Sequence, residues 1–215
     1  MALATVCFCG ISLGENRGLA AADRPGVSFE AFFTHILMHE LMHGLGPHNI
    51  TLGGRATTVR EELKESYSTL EEAKADISGL WALQYLVDKG MLDRSLERSM
   101  YTTFLASAFR TLRFGLSDAH ARGMALQLNT LLDKGAFKVS ADGTFAVDHA
   151  RVKTAVAELA GELITIQGKG NAARARELLT TLAVVRPQVQ RALDRMKAVP
   201  VDIEPRFTAA EELGR

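Results

Sequence analysis

Residues 28–47 read SFEAFFTHILMHELMHGLGP, and this stretch carries both a structural and a chemical signal. Its large apolar side chains recur at steps of three and four residues, which is typical of an α-helix with a wide apolar face. Ser28 is a suitable N-cap, although Ala31 at the third helical position leaves the capping box incomplete. Gly44 and the Gly-Pro pair that follows it predict the end of this helix.

The same periodicity predicts six further helices along the chain. They are expected at 59–89, at 94–113 with Asp93 as a cap, at 117–133, at 148–167 with Asp148 as a cap, from Asn171 onward, and from Pro187 onward. Residues 137–147 alternate with a period of two around an Asp-Gly pair, which predicts a short β-hairpin. Residues 51–58 are polar and Gly-rich, and we expect a link there. The predicted fold is mainly α, a helical lobe of about seven helices with one short β-hairpin.

The length of 215 residues fits one domain, or at most two small ones. Residues 1–26 show no periodicity and are expected to be an irregular lead-in. Residues 27–198 are expected to form one helical domain, and residues 199–215 a tail that follows its surface.

Composition argues against several classes of partner. Twenty-five basic residues balance twenty-five acidic ones, so the basic surplus of a nucleic-acid-binding protein is absent. Polar residues interrupt every apolar run before the ~20 residues that a membrane span requires. The first residues have no basic segment typical of a signal peptide. The two cysteines, Cys7 and Cys9, are interpreted as incidental thiols in a reducing compartment, which indicates a cytoplasmic protein.

The chemical signal is the sequence His39-Glu40-Leu41-Met42-His43. Two histidines four residues apart on a helix lie on one face, one turn apart, so both imidazoles can reach one tetrahedral Zn²⁺. Glu40 then stands beside the metal, where it can take a proton from a bound water. The alternative is a pair of core histidines whose hydrogen bonds are satisfied within the protein.

A catalytic zinc site usually takes a third protein ligand. In the second predicted helix, Glu72 and Asp76 are four residues apart and share a face. One of them could bind the metal while the other accepts a hydrogen bond from a ligand histidine. The alternative for this stretch is a solvated charged face with Glu–Lys pairing.

The segments HELMHGLGPH at 39–48 and EEAKAD at 71–76 resemble the dipeptidyl peptidase III family of zinc metallopeptidases. The resemblance is strongest to the branch sometimes fused to nudix-type proteins, and it covers roughly residues 27–210. Better-studied members have a longer zinc motif, H-E-x-x-G-H, and the second motif E-E-C-R-A-E/D. This sequence departs from them in the shorter motif, in Ala73 for the cysteine and in Lys74 for the arginine.

The resemblance implies a role for each matched residue. His39, His43 and Glu72 would bind one Zn²⁺ per chain, Glu40 would be the general base, Asp76 would support a ligand histidine, and His120 would help to stabilise the tetrahedral intermediate. For His120, a surface or capping role is the alternative. His35 is expected to be packed or hydrogen-bonded, and His48 to lie near the cleft, with neither as a metal ligand.

Members of the family are two-lobed and much longer, so the resemblance implies that this chain is the C-terminal, metal-bearing portion without an upstream lobe. The expected function is a zinc-dependent peptidase acting on peptide substrates. One alternative is a truncated, catalytically silent zinc-binding module. Another is a zinc hydrolase that does not release dipeptides.

Overall fold

The computed structural model describes residues 15–199, and this range is mainly α, as predicted. It contains eight α-helices, of which one has only five residues, and each of the seven regions predicted to be helical contains a helix. The elements in chain order are α1 Phe29–His43, β1 Asn49–Leu52, β2 Arg55–Thr58, α2 Val59–Leu63, α3 Tyr67–Asp88, α4 Leu96–Leu112, α5 Ala119–Asp133, β3 Phe137–Val139, β4 Phe145–Val147, α6 Val152–Gly168, α7 Ala172–Leu182 and α8 Pro187–Arg195.

Helix α3 runs through the centre of the fold and packs against α1, α5 and α6. Its apolar residues Leu70, Ile77, Leu80 and Leu83 are fully buried. A helix that is apolar around most of its circumference is covered on several sides, because every exposed apolar area costs free energy. Polar residues on α3 are therefore held in a rigid frame.

Glycines allow two of these helices to approach α3 closely. A Cβ atom at Gly79 of α3 would lie only 3.2 Å from the backbone nitrogen of His39 in α1. A Cβ atom at Gly123 of α5 would lie 3.1 Å from the carbonyl oxygen of Thr69 in α3. The missing side chain at Gly79 sets the distance between α1 and α3, the two helices that carry the sequence motifs HELMH and EEAKAD.

We expect Gly79→Ala to lower the free energy of unfolding. Overpacking a rigid interface costs about 1–3 kcal/mol, against a gain of about 1 kcal/mol in helix propensity. Gly161→Ala in α6 is the matched control, because no atom lies within 4 Å of its Cβ position. That variant should gain about 0.5–1 kcal/mol. Urea denaturation measures both, and equal stabilisation by the two substitutions would contradict the argument.

The predicted β-hairpin is present, and a second hairpin was missed. Strands β3 and β4 pair antiparallel around a turn in which Asp142 Oδ1 accepts a hydrogen bond from the Thr144 backbone and Gly143 has φ +78°. Strands β1 and β2 also pair antiparallel, so the expected link at 51–58 was wrong. Gly53 and Gly54, with φ +55° and +84°, form that turn. Its strands are mostly polar, which hid the pattern.

The single helix expected at 59–89 is broken, because Lys64 has φ +52° and ψ −124° and cannot continue an α-helix. Helix α2 begins with a capping box between Thr58 and Glu61. It is followed by a short 3₁₀ turn, Lys64–Ser66, before α3 starts. The break leaves α3 free to take its own direction through the core.

The end of the expected lead-in joins the core, because Leu19 is fully buried and bridges to Phe145 of β4. Cys7, Cys9 and all of the tail except Val199 lie outside the described residues, and the domain boundaries stay predictions. Among the helices of residues 15–199, none is both long and apolar enough to cross a bilayer.

Candidate metal centre

Helix α1 presents His39 and His43 side by side, one turn apart. Their rings are nearly perpendicular, with centroids 4.6 Å apart, and their Nε2 atoms are separated by 3.0 Å. Both residues lie on the side of α1 that faces α3, because His39 is buried and His43 is half-buried there. The helix thus brings two imidazole nitrogens to one point.

The other nitrogen of each ring is held by a carboxylate of α3. His39 Nδ1 donates to Asp76 Oδ1 at 2.7 Å, and His43 Nδ1 donates to Glu71 Oε1 at 3.0 Å. Since a carboxylate only accepts, each ring carries a hydrogen on Nδ1, and in the neutral ring Nε2 offers a lone pair. Histidines that bind metals are usually oriented in this way.

Glu72 of α3 completes the cluster. Its Oε2 atom lies 3.4 Å from His39 Nε2 and 3.5 Å from His43 Nε2. Two donors on a tetrahedral zinc are separated by about 3.3 Å, given a Zn–N distance of about 2.0–2.1 Å. Glu72 Oε2 is buried, and within residues 15–199 no hydrogen bond of good geometry reaches it. The three donors fit a small divalent cation.

The electrostatic surroundings favour a positive charge at this point. Burial lowers the pKa of His39, but the carboxylates of Asp76 and Glu72 outweigh that effect and raise the pKa to about 10. Burial raises the pKa of Asp76, yet the hydrogen bond from His39 and the charges of His35 and His39 hold it below its ordinary value. The carboxylates therefore stay ionised and stabilise a cation.

His120 reaches the same cluster from the first turn of α5, which Asp118 caps. Its Nδ1 atom lies 3.0 Å from Glu72 Oε2, and its side chain is 64% exposed. Donor atoms of His39, Glu72 and His120 all lie within 4.8 Å of one another, so this trio is a second set that could hold a metal. His39 and Glu72 are common to both sets.

A cleft of about 440 Å³ opens beside the cluster. The exposed Glu40 lines it, as do His39, Asp76 and His120. Apolar side chains form part of its wall, contributed by Phe32, Ile36, Phe114 and Met124. The arrangement can therefore hold a cation, a carboxylate base and an organic substrate next to one another.

Comparison with known proteins agrees with this geometry. The dipeptidyl-peptidase III from Corallococcus sp. strain EGB shares 59% sequence identity with the chain and superposes with a TM-score of 0.87, over 97% of this chain and 38% of that one. The chain resembles part of a dipeptidyl-peptidase III. The enzyme from Caldithrix abyssi gives a TM-score of 0.92 at 40% identity, over 98% of this chain and 41% of that one.

A curated relative, Nudix hydrolase 3 of Arabidopsis thaliana, is 50% identical over 202 residues, which are 93% of this chain and 25% of that protein. No model of a known protein family matches the sequence. The resemblance to dipeptidyl peptidase III and the link to nudix-type names are thus confirmed. The chain spans between 25% and 41% of the length of these three relatives. That it is their C-terminal portion stays a prediction.

Two further histidines, His35 and His48, lie outside the cluster. His35 is buried, its Nε2 lies 2.9 Å from the carbonyl oxygen of Asp76, and its ring packs edge-on against Phe104. Burial lowers its pKa. His48, which was expected near the cleft, is exposed beyond the end of α1 and is not among the residues that line the cleft.

Sequence reasoning missed four residues that support the cluster. They are Glu71, Lys74, Gln127 and Gln167. Gln127 of α5 donates to Asp76 Oδ2 at 3.1 Å, and Gln167 of α6 donates to Glu71 Oε2 at 2.8 Å. Glu71 and Lys74 are buried, so the alternative of a solvated charged face does not describe this stretch. Glu71 and Lys74 belong to the second motif, EEAKAD, and that was the one feature of the sequence that could have indicated their role.

Proposed function

We propose that the chain is the metal-bearing part of a zinc-dependent peptidase of the dipeptidyl peptidase III type. The observation that carries the proposal is the convergence of His39 Nε2, His43 Nε2 and Glu72 Oε2 to within 3.5 Å of one another. Two imidazoles and one carboxylate are the donors of many catalytic zinc sites, and they leave a fourth position open. The similarity to two solved dipeptidyl-peptidase III structures supports the same conclusion.

In this proposal His39, His43 and Glu72 hold one zinc ion per chain. When bound, zinc supplies a Lewis acid that polarises a peptide carbonyl and makes a bound water more acidic. Asp76 and Glu71 keep the two imidazoles in the orientation that presents Nε2 to the metal.

Glu40 is proposed as the general base. It follows His39 directly on α1, its side chain is exposed, and it lines the cleft. A carboxylate at that place can take a proton from the attacking water and later pass it to the amine that leaves. Glu40 can act as the base without binding the metal itself.

His120 is proposed to act on the substrate. Its Nδ1 is held 3.0 Å from Glu72 Oε2 while its ring faces the cleft. An imidazole N–H aimed into the cleft can donate to the peptide oxygen on which negative charge develops in the transition state. The apolar cleft wall would exclude water from the reacting bond.

Release of dipeptides requires recognition of the free amine of a peptide. We propose that this recognition belongs to the part of the relatives that the chain does not span, in an upstream lobe. A second candidate function follows from the same coverage of 38–41%: a zinc-binding module that is silent until that lobe is added. We further propose a cytoplasmic location, with no nucleic acid or membrane as partner, on the basis of charge balance and cysteine usage.

Short peptides with free and with acetylated N-termini separate these functions. Each is assayed with the chain alone and with a separately expressed upstream lobe. Cleavage by the chain alone of both peptides indicates a zinc hydrolase without dipeptide specificity. Cleavage of the free peptide only, and only with the lobe, indicates a module that completes a dipeptidyl peptidase. No cleavage in any combination contradicts the peptidase proposal.

Metal removal should destabilise the chain. A ligand present at 100 times its Kd stabilises a protein by about 2.7 kcal/mol, which for this size is about 5–10 °C in Tm. We therefore expect a chelator to lower Tm by that amount, and one equivalent of zinc to restore it. Glu72→Ala is the control, since its Tm should not respond to the chelator. A purified wild-type chain that takes up no zinc would contradict the proposed metal site.

A further inference from the structure

Lys74 of α3 is a charged side chain with only 2% of its surface exposed. Its ammonium group donates to three oxygens, namely the carbonyl oxygen of Met42 at 2.7 Å, the carbonyl oxygen of Leu45 at 2.9 Å and Glu71 Oε1 at 2.8 Å. An ammonium group has three N–H donors, so each of them has a partner. A charged group can be buried when all of its hydrogen-bond donors have partners, as they do here.

The two carbonyl groups belong to the end of the helix that carries the zinc motif. Helix α1 ends at His43, so Met42 and Leu45 lie on either side of its last residue. Carbonyls in the last turn of a helix lack partners within the helix, and a positive charge there interacts favourably with the helix dipole. Lys74 therefore fastens the end of α1 to α3 at the position of His43.

Lys74 also bonds the carboxylate that orients His43. Glu71 Oε1 accepts from both Lys74 Nζ and His43 Nδ1, and Glu71 Oε2 accepts from Gln167. Three donors from three different positions thus fix this carboxylate. The ammonium group of Lys74 compensates the charge of Glu71.

We infer that Lys74 is a positioning residue for the metal site, which fixes His43 both through the end of α1 and through Glu71. The inference rests on the proposed zinc site and adds the group that orders one of its ligands. Without the ammonium group, His43 would stand at an unfastened helix end, opposite a carboxylate with one fewer partner. The metal should then bind more weakly, even though every ligand is still present.

The test measures the zinc affinity of the full chain by competition with a chromophoric chelator, with zinc alone as the probe. Lys74→Met keeps the length of the side chain and removes the charge and the donors. We expect its affinity to fall by about 10–100-fold, the usual effect of removing a group that orients metal ligands. Lys74→Arg keeps the charge and several donors, and it should recover most of the lost affinity.

A second neutral variant and a control guard against a purely structural effect. Lys74→Gln keeps a donor without the charge, so it tests the inference if the methionine variant does not fold. Tyr101→Phe removes a buried hydrogen bond to Gln84 that lies outside the metal cluster. It should lower Tm and leave zinc affinity unchanged.

Two outcomes separate this inference from the proposed function. A wild-type chain that binds no zinc contradicts the proposed function. A wild-type chain that binds zinc, together with Lys74 variants that bind it within about twofold of wild type, contradicts the inference alone. Variants at Lys74 that lose Tm but not affinity, as Tyr101→Phe should, would make Lys74 a residue of the core only.

Discussion

Glu40→Gln is expected to reduce peptide hydrolysis by about 10²–10⁴-fold, the usual contribution of a general base, while zinc stays bound. The amide keeps the size of the carboxylate but does not accept a proton near neutral pH. Glu40 is exposed in the cleft and is not among the atoms that converge on the metal position. Its substitution should therefore change kcat more than zinc content.

Both kcat and zinc content are measured for Glu40→Gln. The assay uses the chain alone or the chain with the upstream lobe, whichever is active for the wild type. Glu30→Gln is the matched control, because Glu30 is an exposed glutamate in the first turn of the same helix. It should leave both quantities unchanged. Turnover that survives in Glu40→Gln would remove Glu40 from the role of base, without removing the metal site.

Glu72→Ala is expected to weaken zinc binding by more than the roughly 100-fold that loss of an orienting group causes, because it removes one of the proposed ligands themselves. The alanine also leaves His39 and His43 without the carboxylate that faces both Nε2 atoms at 3.4 and 3.5 Å. Activity should fall below detection at ordinary zinc concentrations. Chelator competition and metal analysis of the dialysed protein measure the change.

Glu65→Ala provides the comparison for that variant, since Glu65 is exposed and its only ion pair in the described range, with Arg176, is 3.7 Å long. It should bind zinc as wild type does. Alanine at His43 and at His120, measured alongside, decides between the two donor sets that share His39 and Glu72. We expect zinc loss with His43→Ala and retention with His120→Ala, and the reverse result would make His120 the ligand.

Most of the helical architecture could be predicted from the spacing of apolar residues, because that spacing is a local property of the chain. The break at Lys64 could not, since no glycine or proline marks the position where φ becomes +52°. The β1–β2 hairpin was missed for a related reason. Strand Asn49–Leu52 alternates between polar and apolar residues, but over only four positions, and its partner Arg55–Thr58 does not alternate.

In the candidate site, too, features that depend on helical spacing could be predicted, and features that depend on the packing of helices could not. Helical spacing alone places His39 beside His43 and Glu72 near Asp76. Which carboxylate holds which imidazole depends on how α1 lies against α3, and the assignment of Glu71 to His43 and Asp76 to His39 follows from that packing. The burial of Lys74 is likewise a tertiary property, because a lysine between charged neighbours has the pattern of a solvated face.

Helix α3 contributes the central apolar packing and the carboxylates of the candidate site at the same time. The stability of the fold and the geometry of the candidate site therefore depend on the same helix, and we expect few substitutions in α3 to leave both unchanged. A designer who wishes to alter the proposed reaction has more freedom at Ile36 and Phe114, which line the cleft from outside α3 and are exposed, so that they can vary without disturbing the centre of the molecule.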